Sequence, residues 1–93
     1  MIDGTWTLTV TPPRGADRQA ILICHTAGDV LTGTFDGTAI TDGHADGAEI
    51  RFKAAITSPF AMTLECTAAI DGGTMTGKAR ASMMTLPLTG VRR

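Results

Sequence analysis

Along most of this chain apolar and polar residues alternate one by one, and that period constrains the fold more than any other feature. Thr5-Trp6-Thr7-Leu8-Thr9-Val10-Thr11 puts Trp6, Leu8 and Val10 on one side and four threonines on the other. From Ala48 to Thr57, Ile50, Phe52, Ala54 and Ile56 face one way, while Glu49, Arg51 and Lys53 face the other. The stretch 61–71 aligns Met62, Leu64, Cys66, Ala68 and Ile70, and the stretch 74–83 aligns Met75, Gly77, Ala79, Ala81 and Met83. Successive side chains of a strand point to opposite faces, so each stretch buries one face only. That is the signature of antiparallel sheet, because parallel strands are apolar on both faces.

Turn chemistry divides the pattern. Asp-Gly occurs at Asp3-Gly4, Asp36-Gly37, Asp42-Gly43, Asp46-Gly47 and Asp71-Gly72, with Gly28-Asp29 as a further signal. Both residue types tolerate the positive φ of two-residue hairpins. Thr11 to Asp17 reads as one longer loop, and Thr57-Ser58-Pro59 as a second connection that is not a hairpin. The predicted strands are 5–11, 19–26, 30–36, 38–42, 44–56, 61–71, 74–82 and 85–92, with a bend dividing 44–56 as an alternative. Sequential strands on tight turns make a meander, and closure would remove two exposed sheet edges. The expected fold is all-β: an antiparallel up-and-down meander barrel or half-barrel of 7–8 short strands, essentially without helix. With 93 residues, the chain 1–93 is one domain with one economical core.

Charge narrows the function classes. The net charge is −1 and the eight lysines and arginines are scattered, so no basic stripe exists to neutralise a phosphate backbone or anionic lipid. Nucleic acid and membrane are not expected partners. No charged segment runs into an apolar one at the start, and no apolar run approaches the roughly 18 residues of a membrane span. The expectation is a cytoplasmic protein, or a piece of a longer chain. Cys24 and Cys66 lack a nearby partner cysteine and read as buried thiols in a reducing compartment.

Gly4-Thr5-Trp6 near the start of the first strand resembles the Gly-x-Trp of lipocalins and their avidin-like relatives in the calycin group. In those barrels an arginine of the last strand packs over that tryptophan at the closed end. Leu86, Leu88, Gly90 and Arg92 are in phase here, so the resemblance implies that Trp6 and Arg92 form the barrel-closing pair. Leu31-Thr32-Gly33-Thr34, Met75-Thr76-Gly77 and Gly90-Val91-Arg92 are also similar to segments of small bacterial β-barrel domains, some of them appended to enzymes. Lipocalins are longer and carry a flanking helix for which this chain has no room. Ligand binding is what the kinship implies, and fold alone does not fix it.

The residues that could carry chemistry do not assemble in the sequence. Cys24 and His25 are neighbours on a strand and point to opposite faces, so they cannot form a thiolate–imidazolium pair. Ser58 and Ser82 lack the context of an activated nucleophile. Glu49 and Glu65 sit on outward faces beside Arg51 and Lys53, where cross-strand charge pairing accounts for them. Asp42, His44 and Asp46 alternate and could hold a metal weakly, but a solvated turn explains them as well. No glycine-rich stretch opens a helix to cradle phosphate. The expectation is no enzyme, no metal and no cofactor.

Two readings of function follow. In one, the chain is a non-catalytic interaction or assembly module, an accessory domain that forms a homo-oligomer. Ala20-Ile21-Leu22-Ile23-Cys24 is apolar on both faces, so Ile21 and Ile23 point outward and mark 19–26 as a candidate homodimer contact. In the other, the barrel binds a small apolar or amphipathic ligand beside the loop from Pro12 to Asp17. Its candidate wall is Trp6, Leu22, Phe35, Phe52, Met62, Leu64, Met75 and Met83. Methionines can line an adaptable pocket or fill gaps, and the inward Gly33, Ala54, Ala68, Gly77, Ala79, Ala81 and Gly90 mean either a tight, flattened barrel or an open cavity.

Overall fold

The computed structural model describes residues 2–11, 16–56, 62–81 and 84–93, with backbone alone at 56 and 62. Among these residues every regular element is a strand: β1 (Gly4–Val10), β2 (Arg18–Ala27), β3 (Val30–Phe35), β4 (Thr38–Ala39), β5 (Thr41–Asp46), β6 (Glu49–Ile56), β7 (Met62–Asp71), β8 (Thr74–Ala81) and β9 (Met84–Arg92). All pairings are antiparallel and join sequential neighbours, apart from β3 with β5 and β9 with β1, the last of which closes the ring. β4 and β5 both pair with β3 and make one stave interrupted at Ile40. The result is an eight-stranded closed antiparallel barrel.

Alternation sets the register. Trp6 lies opposite Leu22 and Arg92, Phe52 opposite Cys66, and Met75 opposite Gly90. Inward positions form one core in which Trp6, Leu8, Leu22, Ile50 and Ala79 are fully buried. Outward positions carry threonines and charges. Leu22 and Phe35 are Cα partners, although Leu22 is mid-strand and Phe35 ends its strand. This stagger tilts the strands around the axis, as closure requires.

Three hairpins, at Gly28-Asp29, Gly47-Ala48 and Gly72-Gly73, gather at the pole where β1 begins and β9 ends. At the opposite pole lie the Asp36-Gly37 hairpin and the described ends of the strands flanking 11–17, 57–61 and 82–83. The Pro12–Asp17 loop over 12–15 and the Thr57-Ser58-Pro59 connection fall outside the described residues, as do Ser82 and Met83.

The boundaries differ from the sequence reading in the middle of the chain. The single strand expected at 44–56 is two strands, because Asp46 pairs with Glu49 around Gly47, whose φ is 62°. Two Asp-Gly pairs do not make hairpins. Asp42 adopts φ 51° inside a β-bulge between Thr41 and His44, and Asp3 belongs to an N-terminal segment folded over the barrel. A positive φ serves a bulge as well as a turn, so the dipeptide alone does not separate them.

The inward glycines resolve the choice between a tight barrel and an open one in the middle of the wall. A Cβ on Gly33 would lie 1.8 Å from the Ile23 carbonyl oxygen, and one on Gly77 would lie 1.9 Å from that of Thr67. These positions are occupied by the neighbouring strand's backbone. They are corners at which the sheet coils sharply, and they add no space.

Candidate functional site

The two poles are built differently. At the pole of the three hairpins, the Arg92 guanidinium lies 4.4 Å from the centre of the Trp6 ring. Arg92 Nη1 donates to the Asp3 carbonyl at 2.7 Å, and the Trp6 indole N–H donates to the Ile2 carbonyl at 3.0 Å. The Asp3 carboxylate accepts from the Thr26 backbone N–H at 3.1 Å and from the Thr26 hydroxyl, and its other oxygen lies 3.5 Å from His25 Nδ1. Residues 2–3 are thus pinned across the end of the barrel by both the first and last strands. The Thr26 hydroxyl bond, aided by the Thr26 backbone bond and by His25, holds the Asp3 carboxyl below its usual value although desolvation opposes it.

The opposite pole has no such plug among the described residues. Val10, Leu64 and Ala81 reach the strand ends facing inward, Leu86 and Ile40 are half-buried against the core, and Met84 is 47% exposed. Beside them in register lie the inward Ala54, opposite Leu64, and Ala79, opposite Leu86, with the inward Ala20 on β2 opposite Leu8. The large side chains Trp6, Leu22 and Phe52 lie further down the staves. Three alanines thus line part of the interior beside an apolar mouth.

Of the expected pocket wall, Trp6, Leu22, Phe35, Phe52, Leu64 and Met75 all face the interior and are buried. They share one packed core, with the Phe35 and Phe52 ring centres 6.4 Å apart. Of these, Leu64 and Phe35 lie nearest the strand ends at the mouth. The Met62 side chain and Met83 lie outside the described residues. Ile23 is 49% exposed, and Ile21 is half-buried on the same outer face of β2. Sequence reasoning missed Asp3, whose Asp-Gly context suggested a turn. It also missed Ile40, which the strand reading placed mid-element.

The groups with potential chemistry are separated. Cys24 is buried and His25 is exposed. Burial, reinforced by the Asp3 charge and slightly opposed by Arg92, pushes the Cys24 thiol up to about 11, and burial pushes that of Cys66 up to about 12. Asp42 turns to Lys53 at 3.3 Å, and the bulge breaks its phase with His44. Among the described residues no three His, Cys, Asp or Glu converge to hold a metal.

A redesigned β-barrel of known structure superposes on this chain with a TM-score of 0.71, over 99% of this chain and 91% of that one, at 18% sequence identity. The two share a fold. At that identity the likeness speaks for architecture alone. No family model matches the sequence, and no curated protein matches it.

Proposed function

We propose that the chain is a non-catalytic binding barrel that takes a small apolar or amphipathic ligand at the pole opposite the Trp6–Arg92 pair, where no plug is found among the described residues. The observation that carries this reading is the asymmetry of the ends. One is sealed by Arg92, Trp6 and residues 2–3, and the other is rimmed by half-buried Leu86 and Ile40 beside three inward alanines. Binding sites of barrels lie at such mouths, in concave apolar surroundings. The sealed pole with its arginine over the tryptophan supports kinship with the calycins. The packed centre confines the ligand to the upper part of the interior, so Leu64, Leu86 and Phe35 form the proposed wall and Trp6 is structural.

Calorimetric titration with medium-chain fatty acids and polycyclic probes tests this reading. Saturable binding is expected, together with its loss in Leu86→Glu, a substitution that a half-buried rim position tolerates. Absence of heat across the panel, or a Leu86→Glu variant that binds as well as the parent, would overturn it.

A second reading, self-association through β2, is favoured by Ile23, exposed at 49% beside the half-buried Ile21. Native mass measurement at high concentration would then give a dimer that Ile23→Asp dissociates. A monomer in both cases removes this reading.

A further inference from the structure

The outer wall formed by β6, β7 and β8 is concave, enclosing about 840 Å³, where the outside of a barrel would ordinarily be convex. The concavity follows from the corner at Gly77, which brings β8 against the β7 backbone at Thr67. Four cations line it, Arg51 and Lys53 from β6 and Lys78 and Arg80 from β8, against three carboxylates, Asp42, Glu49 and Glu65. The register arranges the cations in two rows across the sheet. In one row Glu65 stands opposite both Lys53 and Arg80, and the Lys53 ammonium lies 3.8 Å from its carboxylate. In the other row Thr67 stands opposite both Arg51 and Lys78. A neutral hydroxyl thus occupies the place that a carboxylate fills one row away.

Among the described residues no carboxylate comes within ion-pair distance of Arg51, Lys78 or Arg80. Asp42, the remaining carboxylate near Lys53, is 3.3 Å from that ammonium. Among the described residues the Thr67 row thus sets two cations side by side without an ion-pair partner, although cross-strand pairing favours opposite signs. A cleft also focuses their field where a convex face would disperse it. Neighbouring strands are about 4.8 Å apart, so Arg51 and Lys78 flank Thr67 at a separation their long side chains can close from both sides. An oxyanion above the Thr67 hydroxyl would accept from the two cations and the hydroxyl together, with Arg80 beside Thr85 available to a second anionic group.

We infer that this concave outer face, centred on Thr67 between Arg51 and Lys78, binds a small ligand carrying two or more oxyanion groups. The site is independent of the apolar mouth, because it lies on the other side of the barrel wall.

Inorganic pyrophosphate is the probe, titrated into the isotope-labelled chain while backbone amide shifts are followed. The expected result is saturable shifts at Thr67, Lys78, Arg80 and Arg51 that weaken with added salt. Arg51→Ala and Lys78→Ala should each lower affinity about tenfold, as loss of one charge-assisted contact implies. Thr67→Glu supplies the missing carboxylate, so it should abolish binding while leaving amide shifts outside the groove in place. Arg93→Ala, outside the groove, should bind as the parent does. No saturable shift at Thr67, or an affinity unchanged by Arg51→Ala and Lys78→Ala, would overturn the inference even if Thr67→Glu failed to fold.

Discussion

Replacing Arg92 by methionine keeps the aliphatic stem and removes the charge that seals the plugged pole. Two interactions go with it: a charge-assisted bond to the Asp3 carbonyl at 2.7 Å and the guanidinium face 4.4 Å from the Trp6 ring centre. The first contributes about 1.5–3 kcal/mol and the second about 0.5–2 kcal/mol. Arg92 is only half-buried, so the lower part of each range applies, and about 2–3 kcal/mol should be lost. In a domain of this size that lowers Tm by roughly 10–20 °C. With the usual urea dependence of small domains it moves the urea midpoint by about 1 M or more. Urea unfolding followed by far-ultraviolet circular dichroism measures the loss in Arg92→Met, in Trp6→Leu and in the double variant. The cycle should return a coupling of about 0.5–2 kcal/mol. Arg92→Lys should fall between parent and Arg92→Met, since an ammonium keeps the charge without the planar fork that spans ring and carbonyl. An Arg92→Met variant within about 0.5 kcal/mol of the parent, the scatter of ordinary surface substitutions, would show that the pole does not depend on this residue.

Gly77→Ala drives a methyl into the Thr67 carbonyl at 1.9 Å and should cost about 3 kcal/mol or more, as severe overpacking does. Gly72→Ala, in open space at φ +64°, should lose only about 1–2 kcal/mol of backbone strain; thermal melts separate the two. Asp3→Ala releases Thr26 and should destabilise the chain at neutral pH. Because the Asp3 carboxyl titrates below its ordinary 3.8 when folded, its contribution is present above that value and fades as pH falls through the lower folded one. Parent and variant melts should therefore converge in strong acid. The two thiols behave in the opposite sense: their folded values are raised to about 11 and 12. Stability they support is intact below the ordinary value of 9.0 and declines as pH rises through the folded ones. The alkaline limb of stability against pH should be shallower in Cys66→Ala.

Strands and their inward faces were legible because a period of two is imposed by the backbone itself. Trp6, Leu8, Leu22, Phe52, Leu64 and Met75 were all placed in the core on that basis, and all are buried. What alternation could not convey is stagger and coil. Nothing in Gly33 or Gly77 taken alone distinguishes a residue that leaves a hole from one that admits a neighbour's carbonyl. Asp46-Gly47 and Asp42-Gly43 read alike as dipeptides, yet the first turns the chain and the second bulges it. The Asp3 latch joins residues far apart in sequence across a register that local patterns do not encode. The charged groove was hidden for a related reason. Arg51 and Lys78 look like ordinary solvated positions until pairing sets them on either side of Thr67.

The corners and the alanines together decide where a ligand can go. Had the small inward residues been spread as empty volume, the core of so short a chain would have lost dispersion contacts along its whole length. Instead Gly33 and Gly77 are consumed by backbone that approaches them closely, so they add no space to the core around Trp6, Leu22 and Phe52. Of the other small inward residues, Ala20, Ala54, Ala79 and Ala81 lie toward the pole opposite the latch, whereas Ala45 and Ala68 lie toward the latched one. Stability is thereby concentrated at one end, where the first and last strands meet. Adaptability is left at the other, beneath the strand ends that carry the longer connections. If that division holds, weakening the latch through Asp3→Ala should lower Tm without altering affinity at the mouth, while Leu86→Glu should do the reverse. A latch variant that lost ligand in proportion to its stability would mean that the poles are coupled, and that the barrel works as one body.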